Sequence, residues 1–155
     1  MFELSETLKI FLELSRQKKQ KIVFTNGCFD ILHSGHAQYL NEAKKCGDIL
    51  IVGLNSDSSV KRLKGAERPI NRQADRKYLL ENLKAVDFVE IFNEDTPYEL
   101  ISALKPHILV KGGDWKKEQI VGHDIVTALG GEVRSLSFKE GYSTTNIIET
   151  LKSKP

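Results

Sequence analysis

The chain has 155 residues, 40% of them hydrophobic and 28% charged, and its 23 lysines and arginines nearly balance 21 aspartates and glutamates for a formal net charge of +2. That balance speaks against a nucleic-acid binder, which needs a strongly basic face, and no apolar run approaches the roughly 20 residues that span a bilayer. Acids in Met1-Phe2-Glu3-Leu4-Ser5-Glu6 stand where a signal peptide carries bases, and Cys28 and Cys46 form no C-x-x-C pair, so a reducing, cytoplasmic setting is expected.

Leu4, Leu8, Phe11, Leu12 and Leu14 recur at near-helical spacing and predict an amphipathic helix over about 3–17. Ile22-Val23-Phe24-Thr25 is a β-branched apolar run, hence a buried strand closed by Asn26-Gly27. Ala37 to Cys46 reads as a helix with Gly47 as its C-terminal cap, and Asp48 to Leu54 as a second apolar strand. Asn55-Ser56-Asp57 leads into a basic loop, Lys61-Arg62-Leu63-Lys64-Gly65, and then Arg68-Pro69-Ile70-Asn71. A helix over about Gln73–Leu83 and a strand at Phe88–Phe92 follow. Thr96-Pro97 resembles an N-cap with proline at the first helical position of a helix running to Leu104. The strand His107–Lys111, a helix around Gln119–Leu129, the strand Glu132–Leu136 and a last helix from about Thr145 complete the series.

Short apolar strands alternating with helices predict an α/β fold: one Rossmann-like, doubly wound domain over 1–155, its parallel sheet of about five strands lying in a core over about 21–152. Ligands of such sheets sit beyond the carboxyl ends of the strands, at the switch in strand order. Attention therefore falls on Asn26–His36, Asn55–Lys64, Lys111–Trp115 and Ser137–Thr145.

The strongest signal is Thr25-Asn26-Gly27-Cys28-Phe29-Asp30-Ile31-Leu32-His33-Ser34-Gly35-His36, a strand end, a glycine turn and a helix start. Free N–H groups at a helix N-terminus favour an anion, and two histidines three apart are expected on one face of its first turn. Gly35 between them lets a phosphate approach the backbone, and the imidazoles would donate to phosphate oxygens as charge builds in a transition state. Zinc is the other use of paired imidazoles; beyond Cys28, no further ligands stand at a usual spacing, so no metal site is expected. The thiol of Cys28 has no activating base, and it reads as a small buried residue.

The remaining signals each have two readings. Lys61, Arg62 and Lys64 are either a solvated loop or a clamp on a phosphate, to which Arg76 would add a fork-shaped contact. Lys111-Gly112-Gly113-Asp114-Trp115 is either a turn with a core tryptophan or a glycine pair beside a stacking face. Gly141-Tyr142-Ser143-Thr144-Thr145-Asn146 either caps the last helix or presents hydroxyls to a phosphate. There is no G-x-x-x-x-G-K-[ST], and no G-x-G-x-x-G follows the first strand, so neither a P-loop enzyme nor a dinucleotide dehydrogenase is supported.

Gly27-Cys28-Phe29-Asp30, His33-Ser34-Gly35-His36, Lys84-Ala85-Val86-Asp87 and Tyr142-Ser143-Thr144-Thr145 resemble the H-x-G-H nucleotidyltransferase superfamily, in its cytidylyltransferase-like branch. Asn55-Ser56-Asp57, Arg68-Pro69-Ile70-Asn71, Asp95-Thr96-Pro97, Val110-Lys111-Gly112-Gly113-Asp114 and Ser143-Thr144-Thr145-Asn146-Ile147-Ile148 are similar to adenylyltransferases that form ADP-heptose, often fused to a sugar kinase. With no kinase half, this chain is expected to be a free-standing form. Phe138 stands where cytidylyltransferases typically carry an arginine that holds cytidine, which implies adenine.

The resemblance implies transfer of AMP from ATP, with Mg²⁺, to a sugar 1-phosphate. His33 and His36 would meet the ATP phosphates, and Lys61 or Lys64 would bridge phosphates of both substrates. Asn26, Gly27, Cys28, Phe29, Gly35, Gly112, Asp114, Ser143, Thr144 and Thr145 would form the nucleotide site. Asp30, Asn55, Asp57, Arg76 and Trp115 would serve the acceptor, Asp30 through substrate hydroxyls or metal. A homodimer is implied, with small-molecule substrates and neither nucleic acid nor membrane as partner. The rival readings are a cytidylyltransferase acting on glycerol 3-phosphate, a non-catalytic nucleotide-binding module and a flavodoxin-like electron carrier.

Overall fold

In the computed structural model, which describes residues 1–138 and 141–155, the strands form a five-stranded, wholly parallel sheet. The chain runs α1 (Glu6–Gln17), β1 (Ile22–Gly27), α2 (Ser34–Lys44), β2 (Ile49–Asn55), α3 (Asp57–Lys64), α4 (Gln73–Glu81) and β3 (Phe88–Phe92). It continues through α5 (Tyr98–Leu104), β4 (Ile108–Gly112), a single 3-10 turn (Lys117–Gln119), α6 (His123–Ala128), β5 (Glu132–Leu136) and α7 (Thr144–Ser153). No helix of the described residues is long and apolar enough to cross a membrane.

The central strands are largely apolar because helices cover both faces of the sheet; every residue of β2 is buried. Side chains alternate. Ile22, Phe24, Ile51, Phe92 and Leu109 pack with Leu8 and Leu12 of α1, Ile101 and Leu104 of α5 and Val126 of α6. Val23, Leu50, Val52, Val89 and Val110 face Tyr39, Leu40 and Ala43 of α2 and Leu80 of α4. Each such side chain withdrawn from water contributes about 1.5–3 kcal/mol before ordering entropy is subtracted.

Strand order is β3-β2-β1-β4-β5, so the chain winds outward from β1, then returns to lay β4 on its other side. β1 pairs with β2 along its whole length, from Ile22↔Ile49 to Gly27↔Leu54, but with β4 only through Val23↔Ile108 and Phe24↔Leu109. Beyond Phe24 and Leu109 the two strands part. The crevice expected at the switch point opens there, between the carboxyl ends of β1 and β4.

Four local expectations are corrected. The basic segment after β2 is a helix, α3: Ser56 caps it by accepting from the Ser59 N–H at 3.2 Å, Asp57 sits in its first turn, and Lys61, Arg62 and Lys64 complement its carboxyl end. Pro97, not Thr96, occupies the N-cap of α5, without a side-chain cap. Gly47 does not close α2, which ends through Lys45; a Cβ there would lie 2.9 Å from the Lys21 carbonyl oxygen, so glycine lets this turn touch the start of β1. The helix expected over Gln119–Leu129 is a 3-10 turn and a separate α6, divided at Gly122, whose φ of 92° lies in the left-handed region. Lys139 and Glu140, within the Ser137–Thr145 segment, lie outside the described residues.

Gly131 sits where α6, the start of β4 and the start of β5 meet with no room for a side chain. An added Cβ would lie 2.5 Å from the His107 carbonyl oxygen and 2.7 Å from Val126. Gly131→Ala is therefore expected to destabilise by about 1–3 kcal/mol through overpacking, read as a lower urea midpoint with unchanged m-value; an unchanged midpoint would show that this corner yields freely.

Candidate active site

His33 and His36 are not both inside the helix. His33 is the N-cap of α2, extended at φ −139°, and His36 is the third helical residue. The His36 N–H donates to Nδ1 of His33 at 3.3 Å, and the His33 N–H donates to Nδ1 of His36 at 3.4 Å, a reciprocal capping box built from two imidazoles. The rings stack with centroids 3.8 Å apart. Gly35 has a reason other than the one expected: a Cβ there would lie 2.9 Å from the His33 ring, so its absence lets that imidazole fold back over the helix start.

This geometry sets the proton positions. An Nδ1 that accepts a backbone hydrogen bond leaves the proton of a neutral imidazole on Nε2. Burial, and after it the neighbouring His33, lowers the pKa of His36 to about 4; burial lowers that of His33 as well. Both rings are thus neutral donors at pH 7. Nε2 of His33 is the one buried side-chain nitrogen or oxygen among the described residues that lacks a hydrogen-bond partner. A buried donor left unmade costs about 1–3 kcal/mol, and a ligand oxygen would satisfy it.

Asp30 and Arg76, expected to serve the acceptor, are engaged by buried structural contacts. The Asp30 side chain is fully buried; Arg68 Nε donates to it at 2.7 Å, and the N–H groups of Ile70 and Asn71 donate at 2.8 Å. Burial alone would raise its pKa, but the hydrogen bonds from Asn71, Ile70 and Arg68 prevail and lower it. Arg76 is buried completely and donates to the carbonyls of Cys28 at 2.7 Å, Asn55 at 2.8 Å and Asn71 at 2.9 Å, and to Asp57 at 2.9 Å. Asp57 also accepts from the Gln73 N–H, bracing α3 against α4. Asn55 is buried and donates to Ser59 Oγ at 3.0 Å.

A cleft of about 700 Å³ lies over the carboxyl ends of β1 and β4. Asn26, Gly27, Cys28, Phe29, His33, His36, Asn55, Lys64, Gly112, Trp115, Ser143, Thr144 and Thr145 line it, together with the structural Asp30. Lys61, Asp57, Arg76, Gly35 and the exposed Asp114 do not. A smaller cavity, about 400 Å³, sits at the other end of the sheet around Lys21, His107 and Glu132, far from the histidines.

Local contacts shape the walls. Phe29 has a φ of 46°, in the left-handed region, and its ring is held between Gly27 and His36, 5.2 Å from the imidazole. Burial pushes the Cys28 thiol up despite Lys64, Arg76 and Arg68 nearby, as befits a residue that contributes its carbonyl. Trp115 is not a core residue: it is 47% exposed, pinned by an Nε1–H bond to the Gly112 carbonyl at 3.0 Å, with Lys111 Nζ 5.4 Å from its ring centroid. Ser143 caps α7, accepting from the Asn146 N–H at 2.9 Å, and Thr144 donates to the Ile31 carbonyl at 3.0 Å, so the cap itself forms one wall.

Lys111, Phe138, Tyr142 and Arg68 also line the cleft; Lys111 and Tyr142 stood in segments singled out from the sequence and Phe138 was noted for nucleotide preference, but none of the four was assigned a site role. Phe138 lies against Gly112, where an added Cβ would meet its ring at 2.3 Å. Lys111 carried a usable signal, since it is the last side chain before the glycines at the end of β4. Phe138 and Tyr142 reach the wall from irregular backbone, where periodicity gives no side-chain direction. No group of three or more His, Cys, Asp or Glu side chains able to hold a metal forms among the described residues.

A model of the cytidylyltransferase-like family matches residues 24–150. The bifunctional protein HldE of Nitratiruptor sp. is 58% identical over 148 residues, 96% of this chain and 31% of its own length. HldE of Helicobacter pylori strain J99 is 57% identical over 94% of this chain and 30% of its own. The chain thus spans less than a third of the length of these relatives. Among solved structures, the lipopolysaccharide core biosynthesis protein of Thermoplasma volcanium is 30% identical with a TM-score of 0.63, over 80% of this chain and 99% of that one. Pantothenate synthetase of Thermus thermophilus, at 16% identity and a TM-score of 0.57 over 91% of this chain and 68% of its own, shares the fold.

Two outcomes follow from the geometry. The His36 pKa of about 4 lies below the roughly 6.5 of an unfolded histidine, so the unfolded state binds more protons between those values and stability falls as pH drops through that window. An NMR titration should place the His36 midpoint near 4; a midpoint near 6.5 would mean a solvated ring that is not locked as a cap. Arg76→Ala strands three carbonyls and the Asp57 carboxylate, and should cost about 3–5 kcal/mol in urea unfolding.

Proposed function

The chain belongs to the cytidylyltransferase-like family, and from that premise we propose that it transfers AMP from ATP to D-glycero-β-D-manno-heptose 1-phosphate, giving ADP-heptose and pyrophosphate for lipopolysaccharide core synthesis. The identity to HldE proteins and the likeness to a lipopolysaccharide core biosynthesis protein support the pathway. The whole of 1–155 acts on this reading as one nucleotidyltransferase domain, in the cytoplasm and as a homodimer. The observation that carries the chemistry is the unpartnered Nε2 of His33 in a cleft at the N-terminus of α2.

A phosphate oxygen of the sugar 1-phosphate attacks the α-phosphorus of ATP. As the new P–O bond forms, the bond to the bridging oxygen of the β-phosphate breaks, and pyrophosphate leaves with that electron pair and with Mg²⁺. Such a displacement needs alignment and charge neutralisation and no protein nucleophile. His33 and His36, locked as neutral Nε2–H donors, bind phosphate oxygens of ATP and the charge that develops on them. The N-terminal end of α2 adds its positive dipole, and the backbone at Cys28 and Phe29 cradles the triphosphate. Lys64, which lines the cleft, takes the bridging role in preference to Lys61, which does not.

The test is pyrophosphate release with ATP or CTP against the heptose 1-phosphate or glycerol 3-phosphate. Release is expected with ATP and the heptose phosphate, and His36→Ala should lower kcat by about 10²–10³ in a folded protein. Release only with CTP and glycerol 3-phosphate would keep the mechanism and replace both substrates; binding of ATP without turnover in any pair would leave a nucleotide-binding module.

A further inference from the structure

We propose that Lys111 binds the phosphate of the acceptor, on the α5–α6 side of the sheet, across the cleft from the histidines that take the nucleotide. The identity of that acceptor as a sugar phosphate rests on the reading above; the placement rests on the fold. Strand alternation separates the cleft into two halves. Lys111 follows Leu109 onto the face covered by α1, α5 and α6, whereas Val110 and Gly112 point to the α2 face, where Phe138 and Tyr39 lie 5.4 Å apart. The histidine pair belongs to the α2 half through its helix and its contact with Phe29.

Charge singles out Lys111 within its half. Among the described residues, the two carboxylates that line the cleft are each paired, Asp30 with Arg68 and Asp95 with Arg62, both at 2.7 Å. Lys64 and Lys111 have no carboxylate or hydrogen-bond acceptor among the described residues, although both line the cleft. Burial, opposed by Cys28 and reinforced by Lys64, holds the Lys111 ammonium below its ordinary pKa. Two ammonium groups facing one space repel each other, and a dianion placed between them removes that repulsion. Trp115 positions Lys111 by cation–π contact and offers its exposed face to the ring of a sugar whose phosphate sits on the ammonium.

The chain's single tryptophan is Trp115, so its fluorescence reports on this half of the cleft. Titrating the full chain with heptose 1-phosphate, and separately with inorganic phosphate, should give a saturable emission change. Lys111→Met should weaken both at least tenfold by calorimetry and raise KM for the sugar phosphate to match, with ATP affinity within twofold of wild type; Lys111→Arg should restore most of the loss. His36→Ala should do the converse, weakening ATP and sparing the sugar phosphate. Loss of ATP affinity alone in Lys111→Met, or no change for any ligand, overturns the assignment. A wild-type chain that binds inorganic phosphate through Lys111 but neither binds nor turns over the heptose phosphate sinks the heptose reading and leaves Lys111 as a phosphate site.

Discussion

The guanidinium of Arg76 joins the pieces of chain that make the site. Buried completely, it must find acceptors for its donors, and it finds them on the loop after β1, at the end of β2 and on the turn before α4. Asn71, one of those acceptors, donates in turn to the backbone and carboxylate of Asp30, and Arg68 closes the other side of that carboxylate. The loop from Cys28 to Asp30 is thereby fixed at three points. That loop delivers His33 to the N-cap of α2, so the imidazole pair inherits its position from a buried arginine that never reaches the cleft.

The electrostatics of the cleft divide along the same lines. Arginines are paired with carboxylates and carbonyls, which suits a planar fork that stays charged when buried. Among the described residues, the cleft lysines Lys64 and Lys111 have no carboxylate partner. Histidines are held neutral, because a protonated Nδ1 could no longer accept the N–H that caps the helix. The cleft therefore presents neutral donors on one wall and point charges on the other, an arrangement suited to two phosphorylated substrates meeting in line.

Much of this was legible in the chain. Apolar β-branched runs separated by helical periods gave the parallel α/β sheet, because strands buried on both faces have no polar side to show. Asn26 to His36 marked the edge of the cleft, because a strand end, a glycine turn and a helix start follow one another there. Ser56 as a cap and Gly65 as a stop were also readable as α3, and the density of Lys and Arg masked them. The charged residues were harder. Asp30, Asp57 and Arg76 have the chemistry of ligands, and nothing in their spacing distinguishes a carboxylate facing substrate from one facing Arg68.

By itself, then, the sequence determined the alternation of strands and helices and which residue types gather at the carboxyl end of the sheet, since both follow from local periodicity and composition. The tertiary structure decided which charges are spent and which are free. Pairing of Asp30 with Arg68 and of Asp95 with Arg62 crosses 38 and 33 residues of chain, and only folding sets such distances. Lys111 emerged as a cation without a carboxylate partner among the described residues for the same reason: its neighbours across the cleft come from elements far apart in sequence.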